Sequence, residues 1–241
     1  MNPLCHTQEI PTRTPSSSAL STDSWPGVFV VFEGIDGTGK STQVRMLREA
    51  LERAGETPVV SREPTDGPWG RKIRESATTG RMSLEEELAA FLEDRTEHVN
   101  GLILPALHEG RVVILDRYYY SSIAYQGARG GNEREIERIM TQRFPRPDVV
   151  LLLDIDPAEA VHRIANQRGE IPNEFERLEG LERSRRIFLG LGDDRIVRIR
   201  AGLAPQVVHR EVVAALVAGP LRWRRPDAAV WLAGKFVKPV F

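Results

Sequence analysis

The chain has 241 residues, 41% of them apolar and 28% charged, enough to build one substantial core without requiring two domains. With 33 basic and 34 acidic residues the net charge is −1, so bulk charge carries no nucleic-acid or membrane surface. The single cysteine, Cys5, excludes an internal disulfide and, in a loose tail, argues against a structural metal. No apolar run approaches the ~18 residues of a membrane span, and a cytoplasmic protein is expected.

Residues 1–25 are rich in Ser, Thr and Pro and cannot bury enough surface to offset their ordering entropy, which predicts a flexible N-terminal extension. Residues 28–32 (VFVVF) form a continuous apolar run, as expected for a strand covered on both faces. A helix follows over 41–54, with Val44, Leu47 and Leu51 on one stripe and Gly55 as its stop. Residues 58–61 read as a short second strand and 70–79 as a helix. Ser83 and Glu86 have capping-box spacing and open a long helix towards Glu109, which Pro105 should kink or divide.

Residues 112–115 and 149–155 are two further apolar strands, and 196–199 a weaker fifth. Helical patterns at 157–168, 177–191 and 205–217 fill the gaps, and no internal repeat is present. Alternating strands and helices imply a three-layer α/β fold, its parallel sheet binding ligands at the carboxyl ends of the strands. The tail, 220–241, carries Arg222, Arg224, Arg225, Lys235 and Lys238 among Trp223, Trp231 and Phe236. It reads as a basic-aromatic binding appendage or as a tail packing its aromatics on the body. The second fits better, since no groove or motif is legible.

Gly34-Ile-Asp-Gly37-Thr38-Gly39-Lys40-Ser41-Thr42 fits G-x-x-x-x-G-K-[ST], directly after the first strand and at the start of a helix. In that context the glycines let successive N–H groups point at phosphate oxygens, and the helix dipole adds positive potential. Lys40 is expected at the β- and γ-phosphates and Ser41 on magnesium. Asp36, inside the loop, either accepts from a sugar hydroxyl of a second substrate or stabilises the loop through an Asx turn. Asp116-Arg117 ends the third strand at the active edge of the sheet. Asp116 is placed to hold magnesium through water, and Arg117 to fork onto the acceptor phosphate or the transferred phosphoryl group.

The segments GIDGTGKST, REPTDGPWG, FLEDRTEH, DRYYYSSIAYQGA and DPAEAVHRI stand in the order and approximate spacing of thymidylate kinases, and the chain resembles that family over residues 28–217. The resemblance implies a P-loop kinase domain over 26–219, with a five-stranded parallel sheet and a mobile lid at about 165–176. The implied reaction is ATP plus dTMP giving ADP plus dTDP, with Mg2+, no nucleic-acid or membrane partner, and a homodimer as the assembly. It further implies that Asp36 meets the deoxyribose 3′-hydroxyl and that Arg62 helps to form the monophosphate site. Phe91 would stack on the base and Arg95 bond its edge. Ser121, Ser122 and Gln126 would line the base pocket, and Tyr125 would crowd the 2′ position.

Taken alone, Phe91 reads equally as core and Arg95 as an ordinary helix charge, while Tyr118, Tyr119 and Tyr120 read as packing residues. Some relatives carry a catalytic arginine at the position of Gly37. Its absence turns attention to the lid, with Arg168 first and Arg163 second. Glu176 matches an acidic position near the acceptor, whereas Glu174 stands where many relatives have arginine. Two rival readings stay open at this point: a kinase for another monophosphate or a deoxynucleoside, and a nucleotide-binding regulatory module with little turnover.

Overall fold

Three apolar runs become the centre of a sheet in the computed structural model, which describes residues 25–168 and 178–237. They are β1 (Val28–Glu33), β3 (Val112–Asp116) and β4 (Val149–Asp154), buried along nearly their whole length. The edges are β2 (Val59–Arg62) and β5 (Ile196–Arg200), both only partly buried. That difference explains why the second and fifth runs are short or weak in sequence: an edge strand needs less apolar surface. All pairings are parallel, in the order β2-β3-β1-β4-β5.

The connections are helical: α1 (Lys40–Arg53), α2 (Pro68–Thr79), α3 (Leu84–His98), α4 (Leu104–His108), α5 (Tyr119–Ala128) and α6 (Glu133–Arg143) precede β4. After it come α7 (Pro157–Arg168), α8 (Leu178–Gly190), α9 (Pro205–Ala218), α10 (Pro220–Arg224) and α11 (Pro226–Phe236). The chain leaves β1 in one direction, to β2, and leaves β3 in the other, crossing β1 to reach β4. Right-handed crossovers then put α1 and α5 on opposite faces. The contacts agree: α1 packs on α9 and α11, and α5 on α6 and α8. The crevice lies where the two directions part, at the carboxyl ends of β1 and β3. Register pairs Phe32 with Asp116, Arg62 with Asp116 and Asp154 with Arg200, so charged strand ends gather along this one edge.

The capping box forms as expected, Ser83 accepting from the Glu86 N–H and Glu86 from the Ser83 N–H. The long helix is divided by a π-helical turn, Val99–Ile103, rather than by a simple kink. Pro105 has no N–H for the carbonyl of Gly101, and its ring crowds that carbonyl; the wider turn makes room. Trp25 is buried and belongs to the core, so packing begins one residue inside the expected extension. Residues 1–24 and 238–241 lie outside the described residues. No helix among the described residues is long and apolar enough to cross a membrane.

Most of the tail folds into α10 and α11, each with proline in its first turn, where the missing N–H costs nothing. Leu221, Ala229 and Leu232 are buried, and Trp231 and Phe236 pack against the core. Trp223 stays exposed, with Arg222 over its ring. Arg224 donates to the Gly27 carbonyl and pairs with Asp148, tying the tail to the start of β1. Truncating Leu232 to alanine should therefore cost about 2–5 kcal/mol of stability in urea unfolding and leave turnover unchanged. A change below ~0.5 kcal/mol would show that α11 is not part of the cooperative core.

Candidate active site

The loop after β1 wraps a bed of backbone. Gly34, Gly37 and Gly39 all have positive φ. At Gly37 a Cβ would lie 2.5 Å from the Ala160 carbonyl of α7, so an arginine there is excluded by sterics as well as by φ. Thr38 donates its hydroxyl to the Ile35 carbonyl, shaping the loop from behind. Lys40 donates to the carbonyls of Gly34 and Ile35, at 3.0 and 2.9 Å. Burial and the Arg117 charge push its ammonium down to about 8, against the pull of Asp36, Asp116 and Glu33. Ser41 donates its hydroxyl to Asp116 at 2.6 Å.

Arg117 leaves β3 at φ 75, a left-handed conformation uncommon outside glycine, asparagine and aspartate. Its N–H holds the Phe32 carbonyl of β1. Its guanidinium reaches Asp36 at 2.7 Å and the Ser121 hydroxyl at 2.9 Å, and stacks over the Tyr125 ring. Tyr125 donates to the other Asp36 oxygen at 2.9 Å. Burial opposes the Asp36 charge, but Arg117, Lys40 and the Tyr125 bond together hold its carboxyl below the usual range.

These groups line one open cavity of about 550 Å³ that also takes in Arg62, Phe91, Arg95 and Gln126. Arg62 is exposed and pairs with Asp66. Arg95, by contrast, is almost wholly buried. It bonds Glu63 at 2.8 Å, the Met140 sulfur and the Ser122 hydroxyl, and lies over the rings of Tyr118 and Phe144. Gln126 is also buried; its Nε2 donates to Glu87, and its carbonyl oxygen has no partner among the described residues.

The expected serines and lid arginines are placed as follows. Ser122 is not among the cavity walls; its hydroxyl sits behind, accepting from Arg95. Ser121 borders the cavity, but its hydroxyl is spent between Glu33 and Arg117. Arg163, the second lid candidate, is tied to Glu159 and to the Ala201 carbonyl. Arg168 is the last residue of α7, while Glu174, Glu176 and most of the expected lid fall outside the described residues.

A glycine-lined loop and an Asp-Arg strand end facing one cavity are what a phosphoryl-transfer site requires, and the family model described as thymidylate kinase matches residues 32–212. The chain belongs to the thymidylate kinase family. It is 52% identical over 165 residues to the thymidylate kinase of Xanthomonas oryzae pv. oryzae (strain PXO99A), 68% of this chain and 72% of that protein. With the thymidylate kinase of Xanthomonas euvesicatoria pv. vesicatoria (strain 85-10) it shares 49% over 194 residues, 80% of this chain and 84% of the relative. The thymidylate kinase of Akkermansia muciniphila matches at 48% over 201 residues, covering 83% and 94%. The chain is accordingly an enzyme, a nucleotide-binding kinase of this family.

Sequence reading of this thymidylate kinase family member missed several groups. Arg74 lines the cavity and donates to the carbonyls of Pro64 and Thr65. Glu63 and Asp94 lock the R-E-P loop to α3, through Arg95 and His98 in the first case and through Thr65 in the second. Buried Glu33 accepts from the N–H groups of Tyr118 and Ser121 and from the Ser121 hydroxyl, at 2.8, 3.1 and 2.6 Å, anchoring the start of α5 to β1.

Burial pushes the Glu33 carboxyl up to about 7, although Ser121, Arg117, the Tyr118 N–H and Lys40 all favour its charge. A carboxyl with a raised folded pKa adds stability that is complete below its unfolded pKa and lost as pH rises through the folded value. The parent should therefore lose stability relative to Glu33→Gln as pH rises from about 5 to about 8 in urea unfolding. A difference that stays constant over that window would show that Glu33 does not titrate there.

Proposed function

We propose that this enzyme transfers the γ-phosphoryl group of ATP to the phosphate of dTMP, giving ADP and dTDP. The carrying observation is that one cavity brings together two chemistries. Its walls include the glycine loop, Lys40 and the Ser41–Asp116 pair. They also include Phe91, a buried donor, Arg95, and Gln126, whose buried carbonyl has no partner among the described residues. A thymine edge offers the complement, O4 as acceptor and N3–H as donor.

Arg62, Arg74 and Arg117 line the same cavity and supply positive charge for the acceptor phosphate. Among the described residues Arg62 is held by an exposed pair with Asp66, an interaction of little worth that a phosphate dianion can displace. The acceptor phosphate has its second pKa near ~6 and is largely ionised at neutral pH, so no general base is needed. Lys40, the loop N–H groups and Arg117 then act by in-line positioning and by stabilising charge as it moves between donor and leaving group.

Ser41 and Asp116 fit Mg2+, being hard oxygen donors side by side; the serine hydroxyl donates its hydrogen bond to Asp116 and keeps its lone pairs for the ion. Bound there, the ion would neutralise phosphate charge. The family resemblance supports Arg168 as a lid cation and Glu176 as an acceptor-side residue. It also supports a homodimer as the assembly and the cytoplasm as the compartment.

A coupled ADP-release assay across the common nucleoside monophosphates tests the reading. dTMP should be the best acceptor, and Lys40→Ala should lower kcat by ~10²-fold or more with its melting temperature retained. Failure to turn over dTMP, or preference for an unphosphorylated nucleoside, would overturn it.

A further inference from the structure

Glu87 is fully buried on α3, yet phosphoryl transfer gives it no task. Four side-chain donor contacts converge on it. Oε1 accepts from Gln126 Nε2 at 2.7 Å and from Arg81 Nη2 at 3.3 Å. Oε2 accepts from Arg81 Nε at 3.0 Å and from Arg129 Nη1. Arg129 also donates to the Met82 carbonyl, so the clamp is fastened to the segment between α2 and α3.

An arginine can only donate, and Glu87, its two oxygens filled by guanidinium donors, can only accept from Gln126. Glutamine alone in this cluster has both a donating and an accepting end. Turned the other way, its carbonyl would face a carboxylate oxygen at hydrogen-bond distance, losing a charge-assisted bond and gaining a repulsion. The clamp thus holds Nε2 on Glu87 and leaves Oε1 as the free end of the amide. Gln126 borders the cavity, and its carbonyl oxygen is buried with no hydrogen-bond partner among the described residues, a costly state that a ligand N–H relieves.

We propose that Glu87, held by Arg81 and Arg129, is a positioning residue that sets the polarity of the Gln126 amide and so selects the acceptor base. Pyrimidines whose N3 carries hydrogen satisfy the carbonyl. A cytosine, whose N3 is a bare acceptor, meets it lone pair to lone pair. This rests on the reading of the cavity as a monophosphate acceptor site.

The test is kcat/KM for dTMP, dUMP and dCMP in the parent, in Glu87→Gln and in Gln126→Leu. A glutamine at 87 can donate or accept, so Gln126 is free to turn. The dTMP-to-dCMP ratio should fall about tenfold or more, with dCMP activity rising and the effect carried mainly by KM. A purely structural Glu87 would lower all three substrates alike, and that result would overturn the proposal. Should Glu87→Gln not fold with two guanidiniums uncompensated, Glu87→Gln with Arg129→Met removes one of them, and the same fall in ratio is expected. A ratio that Gln126→Leu leaves unchanged would sink the base-site reading itself. A ratio moved by Gln126→Leu but by neither Glu87 variant would sink the positioning role alone.

Discussion

The site depends on the bond between Arg117 and Asp36. One residue ends β3 and the other sits in the loop after β1, so their 2.7 Å contact joins the two strand ends between which the crevice opens. Arg117 reaches it from a left-handed backbone whose N–H is already spent on the Phe32 carbonyl. A strained conformation of this kind persists only when its surroundings over-determine it. Here Asp36, Ser121 and the Tyr125 ring do so. The guanidinium is held by the protein's own groups, and such fixed charge is what the proposed charge stabilisation would draw on.

Around that bond lies a web of buried charges whose protonation is set by burial and by one another. Lys40 is pushed down to about 8 and Glu33 up to about 7, while Asp36 is held ionised. The lysine donates to two loop carbonyls, neutral acceptors that do little to offset its burial. A polyanion beside it would favour the charge that burial disfavours. The other buried polar groups of the cavity are held in the same way: Arg95 pairs with the buried carboxylate of Glu63, and Gln126 donates to that of Glu87.

What was legible in the sequence follows from this division. Central strands are buried on both faces and announce themselves as unbroken apolar runs, and the glycine loop is a local pattern in its structural context. The helices α5 and α6 were passed over. YYYSSIAY is buried almost all round and shows no polar stripe, although Asn132, three residues before Glu135, carries a cap signature that could have marked α6. Side-chain roles were least legible where partners are distant in sequence. Ser122 behind Arg95, Glu33 under Ser121 and Glu87 behind Gln126 join residues 27 to 88 positions apart. No local period encodes such pairings. The packing of the tail was legible from its aromatics, but its helices were not: they open on prolines, and their apolar residues are interleaved with arginines, of which Arg224 and Arg225 bond the body.

A double-mutant cycle on Asp36→Asn and Arg117→Lys, read in kcat/KM for dTMP, measures the claim that one clamp organises both strand ends. If the pair works as a unit, the second substitution should cost far less once the first is made, with a coupling of at least ~1 kcal/mol. Losses that add within ~0.5 kcal/mol would mean that the two residues act independently and that the site is organised by something else.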